Sequence, residues 1–87
     1  MKKRIESRKP VKQAFQYLLA NQRNSKNMSQ NAFSKKSGFT RQYISLVESG
    51  KRMPSFDFAI NMAEVFEIDA KDFILLLFDK ISYYENL

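Results

Sequence analysis

The chain has 87 residues, with 15 Lys/Arg against 9 Asp/Glu for a net charge of +6, and it contains neither Cys nor His. That length makes one domain with a modest core, and eight Phe and four Tyr make the core dense for its size. The absence of Cys and His excludes disulfides, thiolate chemistry, zinc fingers and an imidazole base, so no cofactor, no metal and no catalytic residue is expected and the chain reads as a non-enzyme.

The charge is unevenly spread. Residues 1–54 carry 13 Lys/Arg and 2 Asp/Glu, a net of +11, whereas residues 55–87 carry 2 and 7, a net of −5. A basic half beside an acidic one is the electrostatic footprint of a nucleic-acid binder. No run of about 18 apolar residues occurs, so no membrane helix is expected. A charged start with no apolar run behind it argues against a signal peptide, and a cytoplasmic location is expected.

Residues 1–10, MKKRIESRKP, read as a flexible basic arm. Such an arm can follow phosphates or enter a minor groove, or serve solubility alone. A single domain then spans residues 11–87. Val11 to about Gln22 forms the first core helix, with Val11, Phe15, Leu18, Leu19 and Gln22 on one face and Pro10 in its first turn. Arg23 ends that helix. In the polar loop that follows, Asn27 suits the left-handed region.

Residues 29–49 hold two short helices joined by a tight turn. Ser29 caps the first, Ala32 and Phe33 face the core, and Gln30, Lys35 and Lys36 stay outside. Ser37-Gly38-Phe39 breaks the helix, since Gly38 takes a positive φ without a Cβ penalty. Thr40 caps the second helix. Ile44 and Val47 lie on its inner face, and Arg41, Gln42, Ser45 and Leu46 lie on the other side. This is the pattern of a helix-turn-helix, whose second helix presents side chains to the DNA major groove.

Ser55 opens a fourth helix with an inner stripe of Phe56, Ala59, Ile60, Ala63 and Phe66, joined by Met62 and Val65. Phe58 is left on a flank as a candidate exposed contact. Asp69 caps a last helix over 70–84, with Asp72 in its first turn near the positive end of the helix dipole. Its run Phe73-Ile74-Leu75-Leu76-Leu77-Phe78 covers every side of a helix, so one face is expected to meet a partner. The interface is assigned to Phe73, Ile74, Leu76, Leu77, Ile81 and Tyr84, in a homodimer; the alternative is a helix folded wholly onto the first one.

The stretch SQNAFSKKSGFTRQYISLVESGKRMPS resembles the phage-repressor and Cro-like family, also called the xenobiotic-response-element family. The resemblance covers about Phe15 to Phe73. Its most specific parts are the opening Ser-Gln, the Tyr-Ile-Ser of the second motif helix, and Glu-Ser-Gly-Lys-Arg-x-Pro-Ser. It implies an all-α, five-helix, lambda-repressor-like DNA-binding domain, here with an extended apolar C-terminal helix. It also implies that Glu67 stands where relatives commonly carry Gly.

By the same resemblance, Arg41, Gln42, Ser45 and Leu46 read bases. Arg41 suits guanine O6 and N7, Gln42 suits adenine N6 and N7, and Leu46 suits a thymine methyl. Gln30, Thr40, Tyr43, Ser49, Lys51 and Arg52 meet phosphates, with Tyr43 equally able to pack on its neighbours. Arg23 and Glu48 form a structural ion pair. The implied partner is double-stranded DNA bound by a homodimer, with RNA polymerase a further expected partner and no membrane or small-molecule ligand. The implied function is a transcriptional regulator. SKKSGFTRQYIS, with Ser37 where many relatives carry Leu, lies nearest to restriction–modification controllers; a phage-type repressor and an antitoxin are the alternatives.

Overall fold

The computed structural model describes residues 4–87, with side chains described from Arg8 onward. Five α-helices follow one another: α1 Arg4–Ser25, α2 Gln30–Ser37, α3 Arg41–Glu48, α4 Phe56–Val65 and α5 Ala70–Glu85. No strand occurs among the described residues. The fold is therefore all-α.

The first helix is longer than the sequence suggests. It begins at Arg4 and runs through Pro10, where the sequence reading places an arm up to Pro10 and a helix from Val11. Proline removes one helical hydrogen bond and crowds the carbonyl four residues back, so it reads as a boundary. Here Pro10 is buried and the backbone stays helical on both sides. Residues 1–3 of the expected arm lie outside the described residues.

The core is built on phenylalanine. Phe33, Phe58, Phe66 and Phe73 are fully buried together with Leu18, Leu19, Ile44, Val47 and Met62. The Phe33 ring lies 5.2 Å from that of Phe66 and 6.1 Å from that of Phe58, both tilted, the arrangement that aromatic quadrupoles favour. Phe33 thus joins the motif's first helix to α4, and Phe73 joins α5 to the same cluster.

Two assignments on α4 are reversed. Phe58 is buried at the centre of an aromatic cluster, 4.8 Å from Phe39 and 5.1 Å from Tyr43, whereas Phe56 is 71 % exposed. The buried stripe is Phe58, Ala59, Met62, Ala63 and Phe66. Positions i, i+1, i+4, i+5 and i+8 form one helical face as well as the expected set does, and periodicity alone does not choose between two overlapping faces. The aromatic pair Phe39 and Tyr43, supplied by the turn before α3 and by α3 itself, makes the choice.

Four helix ends use a left-handed residue. Gly38, Gly50, Asn27 and Glu67 have φ of 81°, 76°, 54° and 58°. At Gly50 the Lys51 amide donates to the Leu46 carbonyl and the Gly50 amide to that of Val47. The same pair of bonds recurs at Asn27 and at Glu67, satisfying carbonyls that each helix leaves unpaired. Asn27 behaves as expected, and Glu67 adopts the conformation usually given to glycine, at a cost of about 1–2 kcal/mol for an L-residue.

The last helix folds back onto α1. Phe73 and Leu77 are buried in the chain's own core, and Ile74, Ile81 and Tyr84 pack half-buried against it. Phe73 and Leu77 are therefore not surface residues, contrary to the expected interface set. Leu75 and Phe78 are 57 % and 60 % exposed, joined by Leu76 and Tyr83. Which face of α5 turns inward cannot be read from the run itself, because a continuous apolar run gives no rotational phase. Lys80 also covers the Tyr17 ring of α1 at 4.3 Å, a cation–π contact that closes the α1–α5 seam.

Candidate nucleic-acid interface

Helix α3 is held as a rigid two-sided element. Thr40 Oγ1 accepts from the Tyr43 amide at 3.0 Å and caps its start, and the Gly50 turn closes its end. Ile44 and Val47 are fully buried on one side. On the opposite side Arg41, Gln42 and Ser45 are exposed, with Leu46 half-buried beside them. These four positions form one stripe, i, i+1, i+4 and i+5, so they present a single row of side chains. The structure brings all four together as the sequence groups them.

Helix α2 is fixed across the turn. Ser29 Oγ accepts from the Ala32 amide at 3.0 Å. In the turn, Ser34 Oγ donates to the Phe39 carbonyl at 2.7 Å, and the Phe39 amide donates to Ser37 Oγ at 3.1 Å. Asn61 of α4 adds a bond from Nδ2 to the Ser37 carbonyl at 3.2 Å. The angle between α2 and α3 is thus set by side chains of α2 and α4, and the sequence offers no sign of the Asn61 contribution.

An ion pair anchors the other end of α3. Arg23 Nε donates to Glu48 Oε2 at 2.6 Å and Nη2 donates to Oε1 at 3.0 Å, a bidentate fork. Arg23 Nη1 donates to the Met28 carbonyl at 2.7 Å. The side chains are 13 % and 11 % exposed. The Arg23 pKa is raised, first by the hydrogen bond to Glu48, against the opposing effect of burial, with the Glu48 charge adding to the rise. Gln30 joins this network: its Nε2 donates to Glu48 Oε1 at 3.0 Å. Sequence reasoning places Gln30 on the outer side of the motif's first helix, as a phosphate contact, and misses this tie, because residues 18 apart reveal contact only once the helices are packed. The tie holds the Gln30 side chain at the start of α2 while leaving its amide oxygen and second N–H unused.

The remaining positions surround α3. Ser49, Lys51 and Arg52 are exposed just past its end, and Thr40 is exposed at its start. Ser49 Oγ donates to the Leu46 carbonyl at 3.0 Å. Tyr43 is chiefly a packing residue: its ring stacks on Phe39 at 5.2 Å, meets Phe58 edge-on, and carries the Arg52 guanidinium at 5.2 Å on its outer side. Arg52 is in this way held close to the surface that α3 exposes. Lys35 and Lys36 are exposed at the C-terminal end of α2, where their charge suits the helix dipole and adds to the positive field.

A capped α2, a Gly38 turn and an α3 with one sealed and one polar face form a helix-turn-helix, and a helix-turn-helix family model matches residues 19–73. The chain belongs to this family. The type is that of the xenobiotic-response-element regulators, and the protein is a DNA-binding transcriptional regulator of that kind. No curated protein and no solved structure matches the chain. In this helix-turn-helix protein, α3 occupies the recognition position and α2 the supporting one. Among the described residues no helix is long and apolar enough to cross a membrane.

Proposed function

We propose that the protein binds DNA sequence-specifically as a homodimer on a roughly palindromic operator, and that it is a restriction–modification controller acting on its own operon. The observation that carries the DNA-reading part is the row Arg41, Gln42 and Ser45, exposed on a helix whose other face is locked into the core. Three polar side chains in one row match the edges of successive bases, with Arg41 directed to guanine, Gln42 to adenine and Leu46 to a thymine methyl. Gln30, Thr40, Ser49, Lys51 and Arg52 then meet phosphates on either side, and these fix register without reading sequence.

The dimer part is supported by the outer face of α5, where Leu75, Leu76, Phe78 and Tyr83 are exposed on a helix of 16 residues. A second copy of the same face buries this apolar surface, and two-fold symmetry then sets the recognition helices about 34 Å apart. Controller behaviour follows the likeness of SKKSGFTRQYIS to that group and acts through dose and cooperative occupation of adjoining sites. An antitoxin would instead turn the outer face of α5 to a toxin.

Footprinting on the DNA upstream of the coding sequence, with protein sized by light scattering, tests this reading. A dimer that protects a short palindrome supports it, and two tandem sites support the controller role. A soluble monomer that gives only weak, salt-labile and sequence-independent protection refutes it.

A further inference from the structure

One basic groove shares only Ser49 with the set of residues assigned to DNA contact. It runs between the N-terminal half of α1 and the end of α3, encloses about 610 Å³, and is lined by Arg8, Lys9, Lys12, Gln13, Gln16, Ser49 and Gly50. Among the described residues its walls carry three cations and no carboxylate. Arg8 and Lys9 are exposed and Lys12 is half-buried. The lining mixes polar and apolar surface, with amide and hydroxyl groups among the cations. Gly50 lies close to the α1 wall: a Cβ there would lie 2.9 Å from Gln16 Oε1, the tip of a flexible side chain.

The groove adjoins the recognition surface. Ser49 and Gly50 form its α3 wall, and Lys51 and Arg52 follow them directly in the chain. A backbone strand that passes Lys51 and Arg52 is thus led toward the α1 cations. The groove exists because α1 continues through Pro10 to Arg4; a helix starting at Val11 would leave Arg8 and Lys9 without a fixed position.

We infer that this groove is a phosphate track, in which Arg8, Lys9 and Lys12 engage the DNA backbone next to the phosphates met by Lys51 and Arg52. The inference rests on the DNA-binding reading above and extends it to a second segment of the chain. It assigns α1 a role in affinity and none in base choice, since cations on phosphates carry no sequence information.

The test compares the full chain with the triple variant Arg8→Gln/Lys9→Gln/Lys12→Gln on the operator found by footprinting. Each phosphate neutralised contributes about 0.9 to the slope of log affinity against log salt, so the variant should lower the slope by about 2–3 per protomer. Ethylation interference should lose a matching group of phosphates, while the base pattern of the footprint is retained. The charge-preserving variant Arg8→Lys/Lys9→Arg/Lys12→Arg should keep the wild-type slope, which separates charge from folding. An unchanged slope in the Gln variant, with specific protection intact in the wild type, overturns the track and leaves the recognition role of α3 standing. If the wild type itself gives no specific protection, both fall. An altered base pattern in the Gln variant also overturns the proposal, because it would place these residues among the base-reading groups.

Discussion

Replacing Glu48 by Ala removes the one carboxylate that joins α1, α2 and α3. Three donors lose their acceptor at once: Arg23 Nε, Arg23 Nη2 and Gln30 Nε2. The guanidinium then keeps only the Met28 carbonyl. Breaking a buried pair by deleting one partner costs about 3–5 kcal/mol, whereas an exposed pair is worth about 0–1 kcal/mol. Side-chain exposures of 13 % and 11 % place this pair near the buried limit, so a loss of about 3 kcal/mol is expected. For a domain of this size that lowers Tm by roughly 12–24 °C, at about 4–8 °C per kcal/mol. Thermal and urea unfolding followed by circular dichroism read the effect, with an unchanged urea dependence showing that the unfolded reference is the same. The double variant Arg23→Met/Glu48→Leu should recover most of the loss, because no orphaned charge remains. Raising the pH should not weaken the pair through Arg23. A raised pKa gives stability that is complete below the ordinary arginine range and is lost only above it. A loss below about 1 kcal/mol for Glu48→Ala would refute the reasoning and show the network to be screened by water.

Four further outcomes are expected. Glu67→Gly should stabilise the fold by about 0.5–1 kcal/mol in the same unfolding assay, since the left-handed strain at φ 58° outweighs the added freedom of the unfolded glycine. Lys51→Ala should weaken binding to all DNA sequences alike and flatten the salt slope by about 1, measured by fluorescence anisotropy across a salt series. Leu75→Asp/Phe78→Asp should convert a dimer to a folded monomer by light scattering, because both side chains are exposed, whereas Phe73→Ala should cost about 3–5 kcal/mol of stability by opening a cavity in the core.

The local chemistry of helix ends was legible before any packing was known. Ser29, Thr40, Ser55 and Asp69 cap the helices that their positions announce, and Gly38 and Asn27 take the left-handed turns. These depend on one or two residues and their own backbone, so sequence suffices. The outward row of α3 was legible for a similar reason: Ile44 and Val47 fix the phase of a short helix with few apolar residues. What failed was the phase of apolar-rich helices. In α4 and α5 more than one face is hydrophobic enough to be the inner one, and the choice was made by Phe39, Tyr43 and the surface of α1. That is why Phe56 and Phe58 exchanged roles and why Phe73 and Leu77 moved from a surface to the core. The Gln30–Glu48 bond, the Asn61 tie and the α1 groove are contacts between distant segments and had no local signal.

On the function proposed above, the exposed row of α3 reads bases. Selection of bound duplexes from a random library, run in parallel on the wild type and on Arg41→Ala, tests it most directly. The wild type should enrich a two-fold symmetric motif, and Arg41→Ala should relax one guanine position in each half while losing about 1–3 kcal/mol on the wild-type site. A pool with no common motif, or a variant that enriches the same motif at the same strength, would contradict it.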